Sequence, residues 1–166
     1  MHDPTSQAPD PFRFRSVMGA FPTGVAVVTA LRDDGEPAGL TASSLTSVSL
    51  RPLLLLVCID HRSASHDAIL GSGAFAVNLL PHEGRGLSDA FARGDREDRF
   101  QGLAWREEVT GSPVLEDALG WLDCRVHQTH VAGDHTIVVG EVVACGVGDG
   151  EPLVYHRGRY GRVAAS

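Results

Sequence analysis

Apolar positions along this chain recur with two different periods. Phe14, Val17, Met18 and Phe21 follow the i, i+3, i+4, i+7 spacing of one helix face. Phe21-Pro22 sets an end to that helix, because the residue before a proline is pushed out of the helical region. The pattern then changes. GVAVVTAL (24–31) is short and β-branched, which predicts a strand. RDDGE follows as a turn with Asp34-Gly35 as its hairpin signal, and the chain returns through PAGLTASS. LLLLVCI (53–59) is apolar at both alternating sets of positions. Such a strand must be covered on two faces, by a barrel core and by something else. SASHDAILGSG predicts a short helix with Ser63 or Ser65 as its cap and Gly71 as its stop. AFAVNLL (74–80) is another strand. EGRGLSDAFARGDREDRFQG is helical in pieces, with Leu87, Ala90 and Phe91 on one face. Residues 121–148 form a long hairpin turning near Ala132-Gly133-Asp134, and PLVYHRGRYGRV is a short strand with a basic end.

The predicted order is helix, hairpin, strand, helix, strand, helices, long hairpin, strand. Antiparallel neighbours dominate and βαβ repetition is weak. The expected fold is mainly β, a closed or split β-barrel with peripheral helices. It occupies 12–166 as one domain, after a polar, Pro-rich tail over 1–11. A chain of 166 residues is long enough for a real core. The formal charge of -7 argues against a nucleic-acid partner, although local arginines and backbone N–H groups can still hold a small anion. No run reaches the roughly 18–20 apolar residues that span a bilayer, so no membrane role is expected. The N-terminus has neither the basic nor the apolar region of a secretory signal. Cys58, Cys124 and Cys145 stand far apart in apolar runs with no C-x-x-C pair, which fits buried free thiols in the cytoplasm.

Several chemistries lack their motifs. There is no G-x-x-x-x-G-K-[ST], no G-x-S-x-G, and no G-x-G-x-x-G between a strand and a helix. Eight histidines invite a metal reading. His127 and His130 fall on opposite faces of a strand, however, and no H-E-x-x-H or facial-triad spacing occurs. Asp95, Glu97 and Asp98 fit a solvated helix face, with Asp95 and Arg99 at i, i+4.

What remains is GLTASSLTSVSL (39–50), twelve residues with six hydroxyls and no charge. Thr41, Ala42, Ser43 and Ser44 combine small side chains, hydroxyl donors and close backbone access. That suits a flat polar heterocycle lying along a strand. A Ser/Thr-rich edge strand bonding only water is the other reading.

These residues belong to a larger set. FPTGVAVVTA (21–30), GLTASSLTSVSLRPLLLLVCID (39–60), HRSASHDAI (61–69), FAVNLL (75–80), DREDRF (95–100), GDHTIVVGEV (133–142) and PLVYHRGRY (152–160) resemble, in joint order and spacing, the flavin reductase-like FMN-binding split-barrel family. Its members are the reductase components of two-component flavin monooxygenases. The resemblance implies that Thr41, Ala42, Ser43 and Ser44 line the flavin ring and ribityl chain. It puts the backbone of Cys58, Ile59 and Asp60 near the ring and Thr23 beside it. It directs Ser63, Ala64, Ser65 and His66 at the phosphate, where a helix start offers N–H groups to an anion. Arg62 would assist there, or stand as a solvated charge. Phe91 and Arg99 fall in the segment that covers the flavin, with core packing as the alternative for Phe91. His135, in GDH, matches the position that approaches the nicotinamide nucleotide and is the candidate catalytic residue; a hairpin-capping histidine is the alternative. Tyr155, His156, Arg157, Gly158, Arg159 and Tyr160 match a segment reaching the same pocket, where the arginines suit a pyrophosphate.

The resemblance implies hydride transfer from nicotinamide C4 to flavin N5, a reaction that needs stacked rings rather than a protein nucleophile. Gly24 and Ala42 are small enough to let the rings approach. The implied cofactors are FMN or FAD and NADH or NADPH. The implied partners are a second copy of the chain, which would cover LLLLVCI, and a monooxygenase that receives the reduced flavin. A flavin store without turnover, and an oxidase of the pyridoxamine-phosphate type, are the rival readings.

Overall fold

The computed structural model describes residues 10–93 and 99–164. Residues 1–9 of the expected tail, and Asp95, Glu97 and Asp98 of the expected helix face, lie outside the described residues.

Seven antiparallel strands form the main sheet. They are β2 (Ala26–Leu31), β3 (Pro37–Ala42), β4 (Thr46–Leu50), β5 (Leu53–Asp60), β6 (Ala74–Leu79), β9 (Gly120–Ala132) and β10 (His135–Val147), in spatial order β3-β2-β6-β9-β10-β5-β4. The sheet curls so that β3 meets β5. The seam between them is clipped by one side chain: Ser44 Oγ donates to the Cys58 carbonyl at 3.0 Å and accepts from the Cys58 N–H at 3.1 Å. A hydroxyl here substitutes for a rung of ladder. Outside the barrel sit β1 (Thr23–Gly24) with β11 (Val154–His156) and β12 (Arg159–Gly161), and a small ribbon of β7 (Trp105–Glu107) with β8 (Pro113–Leu115). Three helices complete the chain: α1 (Pro11–Gly19), α2 (His66–Ser72) and α3 (Arg85–Arg93), the last preceded by a 3-10 turn at His82–Gly84. The mainly β split barrel expected from the sequence is the observed fold.

Two cores sit on either side of β2. Ala26, Val28 and Ala30 face the barrel interior with Leu55, Val57, Ile59, Phe75, Val77 and Val138. Val27 faces outward and packs with Leu80, Phe91, Leu115 and Leu153 under α3 and β8. Strand β2 is therefore covered on both faces from within the chain. For residues 53–59 the sequence expects the second cover to come from outside the barrel, and in β5 Leu55, Val57 and Ile59 are buried while the alternate positions are half-buried or exposed.

Local signals explain most boundaries and some errors. Asp10 caps α1 by accepting the Phe12 N–H at 3.0 Å, with Pro11 in the first turn. The helix stops at Gly19, before Phe21-Pro22, and buries none of its residues. The β9–β10 hairpin turns at Gly133-Asp134, as the sequence predicts. Helix α2 ends on Gly73 at φ 66°, not on Gly71, because Gly73 takes the left-handed conformation that a helix stop favours. The span 24–31 breaks into β1 and β2. PLVYHRGRYGRV is a hairpin of two short strands rather than one strand. Its tip is Arg157 at φ 49° and Gly158 at φ 76°, the double positive φ of a type I′ turn. Strand β4, the ribbon β7–β8 and β1 carry too few alternating positions to announce themselves. All three cysteines are free, but only Cys124 is buried; Cys58 is half-buried and Cys145 exposed. Burial pushes the Cys124 thiol up to about 12, so it is a packing residue rather than a reactive one.

Candidate functional site

Three cavities join into one groove along the outer wall of the barrel. The first, about 470 Å³, is mostly apolar and runs from Phe21, Pro22 and Thr23 past Ala42 and Ser43 to Leu153. The second, about 580 Å³, is polar and lies between α3 and the β11–β12 hairpin. The third, about 480 Å³, is bounded by Thr41, Asp60, Arg62, Ser63, Ala64, Phe91 and Arg99. Ser43 and Val25 are common to the first two, and Thr41 and Ala92 to the last two. The hydroxyls singled out in the sequence therefore stand where the cavities meet.

Those hydroxyls are not equivalent. Ser44 spends donor and acceptor on Cys58, so it closes the barrel. Thr41 Oγ1 donates to the Ser88 carbonyl at 2.7 Å, which leaves its lone pairs as acceptors. Ser43 is exposed and, among the described residues, has no side-chain hydrogen bond. It alone of the three can both donate to and accept from a ligand. Ala42 is buried at the same wall, and a Cβ added at Gly24 would meet open space.

The loop after β5 is folded by its own side chains. Asp60 accepts from the Arg62 backbone at 2.8 Å and from its guanidinium at 2.7 and 3.2 Å. These contacts, the side chain first, hold the Asp60 carboxyl well below the usual range. Arg62 is 86% exposed at the groove mouth and already paired. Ser63 Oγ accepts the Ser65 N–H at 3.3 Å, so Ser63 rather than Ser65 shapes the entry to α2. The Ser65 side chain makes no cap bond and is 1% exposed, so it turns away from any ligand in the groove. Ile59 likewise points into the core, and the Cys58 N–H and carbonyl are both taken by Ser44.

His66 and His61 also turn away from the groove. Both rings converge on one hydroxyl, with Nε2 atoms 3.0 and 3.1 Å from Thr136 Oγ1, and meet edge to face. The Asp67 carboxylate lies 3.0 Å from His66 Nδ1, so that nitrogen carries a proton. In the neutral ring Nε2 then accepts from Thr136, and His61 Nε2–H donates to it.

Phe91 is core. Its ring covers Gly39, where an added Cβ would lie 2.6 Å from Phe91 Cε1, and it packs edge-on against Phe100. Arg99 donates to the Gly39 carbonyl at 2.8 Å while lining the third cavity. His135 stands opposite Asp60 across the β5–β10 ladder, outside the lining of these three cavities. Its Nδ1 donates to Asp134 Oδ1 at 2.7 Å, which holds the Asp134 carboxyl low and leaves Nε2 directed elsewhere.

On the other side of the groove, Tyr155, Gly158, Arg159 and Tyr160 line the second cavity, and His156 and Arg157 continue its basic lip. Facing them is a stripe of α3 that the sequence reading passed over: Arg85, Ser88, Asp89, Ala92 and Arg93. Their i, i+3, i+4, i+7, i+8 spacing was the available signal, a polar face opposite the apolar one. Tyr160 Oη donates to Asp89 Oδ1 at 3.0 Å. Its only proton is then spent, so the buried Ser88 Oγ, 2.9 Å away, donates to it. One chain of bonds thus ties β3, α3 and β12 around the cavity.

This barrel, whose groove runs from an apolar end past hydroxyls to arginine-bearing cavities, is that of the flavin reductase-like domain family: the family model matches residues 18–164, and the chain belongs to it. Among its relatives is the flavin reductase (NADH) of Kitasatospora aureofaciens, 48% identical over 153 residues, covering 90% of this chain and 80% of that one. The reductase subunit HsaB of a flavin-dependent monooxygenase from Rhodococcus jostii is 39% identical over 156 residues, covering 93% and 79%. The NADH:FAD oxidoreductase SgcE6 of Streptomyces globisporus, solved in complex with NAD and FAD fragments, superposes with a TM-score of 0.87 at 35% identity, covering 96% and 98%. The present chain is an NAD(P)H-dependent flavin reductase.

Proposed function

We propose that the groove binds the isoalloxazine of FMN or FAD along Thr41, Ala42 and Ser43, with its phosphate end toward Ser63, Ala64 and Arg99. NADH or NADPH enters from the side of the β11–β12 hairpin. The observation that carries this reading is the order of chemistry along the groove: an apolar end, hydroxyls at the two places where the cavities meet, and arginines in the second and third cavities. Bound flavin supplies a two-electron acceptor to the reduced pyridine. The protein's part is orientation and exclusion of water. Thr41, its proton committed to Ser88, presents an acceptor; Ser43 presents both functions. Ala42 and Gly24 leave room for one ring to reach another. Thr23 sits at the apolar end, and His135 stands beside the groove, opposite Asp60 across the β5–β10 ladder.

The chain acts as a homodimer. A nine-residue helix such as α1 is not stable alone. Here it exposes Phe12, Phe14, Val17 and Met18, with Phe21 just beyond it, and the end of the β4–β5 hairpin exposes Val48, Leu50 and Leu53. A second copy is the partner that covers them. A monooxygenase receives the reduced flavin, and the setting is the cytoplasm. Among the described residues no helix is long and apolar enough to cross a membrane.

Anaerobic mixing of the flavin-loaded protein with NADH tests the reading. Catalytic bleaching of the flavin absorption is expected, and bleaching no faster than with free flavin would refute it. His135→Ala should lower turnover with NADH about tenfold or more while the flavin Kd changes less than about threefold. Equal losses in both would remove His135 from the nicotinamide side.

A further inference from the structure

We propose that Arg85 is the phosphate ligand of a subsite that takes the adenosine diphosphate half of a dinucleotide, with the Tyr160 ring as the platform for its base. The inference rests on the flavin reductase reading and adds a residue and a ligand half to it. The chain carries a formal charge of -7, yet among the described residues the second cavity is lined by Arg85, Arg93 and Arg159 against one carboxylate, Asp89. Asp89 is engaged with Tyr160. The local excess of positive charge selects a polyanion. The aromatic wall selects a planar group: Tyr155 and Tyr160 lie 5.3 Å apart, and the Tyr160 ring is fixed in place through its hydroxyl by Ser88 and Asp89.

Arg85 occupies the position such a ligand would take. Its guanidinium carbon lies 5.3 Å from the Tyr160 ring centroid, and its Nε is 3.8 Å from Asp89 Oδ2. Both contacts are exposed and loose, the kind a ligand displaces readily. A base settling on Tyr160 lifts the guanidinium off the ring. It is then free to take a phosphate in its forked geometry, at the same mouth that Arg93 and Arg159 line. Arg85 therefore covers the ring when the groove is open to water and binds charge when it is filled.

Either NADH or FAD supplies this chemistry, and the test separates them. Kd values for FMN and FAD, and KM and kcat for NADH, are measured for the wild type, Arg85→Ala and Arg85→Lys. If the dinucleotide is NADH, Arg85→Ala raises its KM about tenfold, with kcat within about twofold and both flavin Kd values unchanged. If it is FAD, the FAD Kd rises about tenfold while that of FMN stays put. In both cases Arg85→Lys recovers part of the loss, because charge without the planar fork is retained. Tyr160→Leu reproduces the same selective loss, and Tyr160→Phe, which keeps the ring, a smaller one. No change in any constant, or an equal change in all of them, overturns the proposal. A wild type that fails to reduce flavin with NADH sinks the underlying reading instead.

Discussion

Two surfaces of this barrel treat their groups in opposite ways. Along the groove between α3 and the β11–β12 hairpin, polar side chains are tied to one another: Thr41 to Ser88, Ser88 to Tyr160, Tyr160 to Asp89. The arginines rim this fixed frame. Next to the apolar end of the groove, sharing Leu45 and Leu79 with it, β4, β5, β9 and β10 form a trough of about 330 Å³ lined also by Leu50, Leu53, Leu54, Leu122, Val142 and the exposed Cys145. Its rim residue Leu50 is 80% exposed. The first surface is organised before anything binds, which suits a small ligand whose affinity depends on preorganised polar groups. The second is a contiguous apolar area that in water calls for a protein partner.

The contrast can be broken at three points. The largest effect is expected in the trough. Leu53→Asp puts a charge into the proposed interface and should weaken self-association by about a hundredfold or more, roughly 2.7 kcal/mol. Light scattering against concentration reads this directly. An unchanged mass would show that the trough is not where copies meet. Next is the seam. Ser44→Ala removes two hydrogen bonds to a backbone that has no other partner on that side, at a cost of about 1–3 kcal/mol. A thermal midpoint lower by several degrees is expected, with flavin affinity nearly preserved. The opposite pattern, intact stability and lost flavin, would return Ser44 to the ligand.

The smallest effect belongs to Asp60. Its carboxyl is held below the ordinary range by Arg62, so the pair favours the charged folded form. That contribution is complete above the usual aspartate range and fades as pH falls through it toward the lowered value. Wild type should therefore unfold at a slightly higher temperature than Asp60→Asn near neutral pH. The gap should close on acidification. A gap that widens in acid would mean the pair is not what steadies the loop.

The sequence was a good guide wherever one chain supplies its own neighbours. The β-branched run of β2, the β9–β10 hairpin with its Gly133-Asp134 turn, and Ser43 at the centre of the groove all follow from local pattern. It said less where burial depends on what lies across space. LLLLVCI and AVVTAL are equally apolar, but the element that covers the outer face of β2 arrives from residues 80–115 and 153, far along the chain. Ser44, Ser43 and Thr41 are chemically alike in sequence. Only the approach of β5 and α3 separates a clip, a free hydroxyl and a committed donor. The site face of α3 was visible as a polar stripe, overshadowed by the apolar stripe that packs Phe91.

The tip of the β11–β12 hairpin is bound to more than the groove. The Arg157 N–H donates to the Gly19 carbonyl at 2.8 Å, and the hairpin backbone passes so close that a side chain at Gly19 would touch it. The end of α1 and the hairpin tip therefore travel as one body. If α1 is seated on a second copy, cofactor occupancy and pairing of the copies share a free energy. Each then strengthens the other by the same factor, and diluting the protein loosens its grip on the nucleotide.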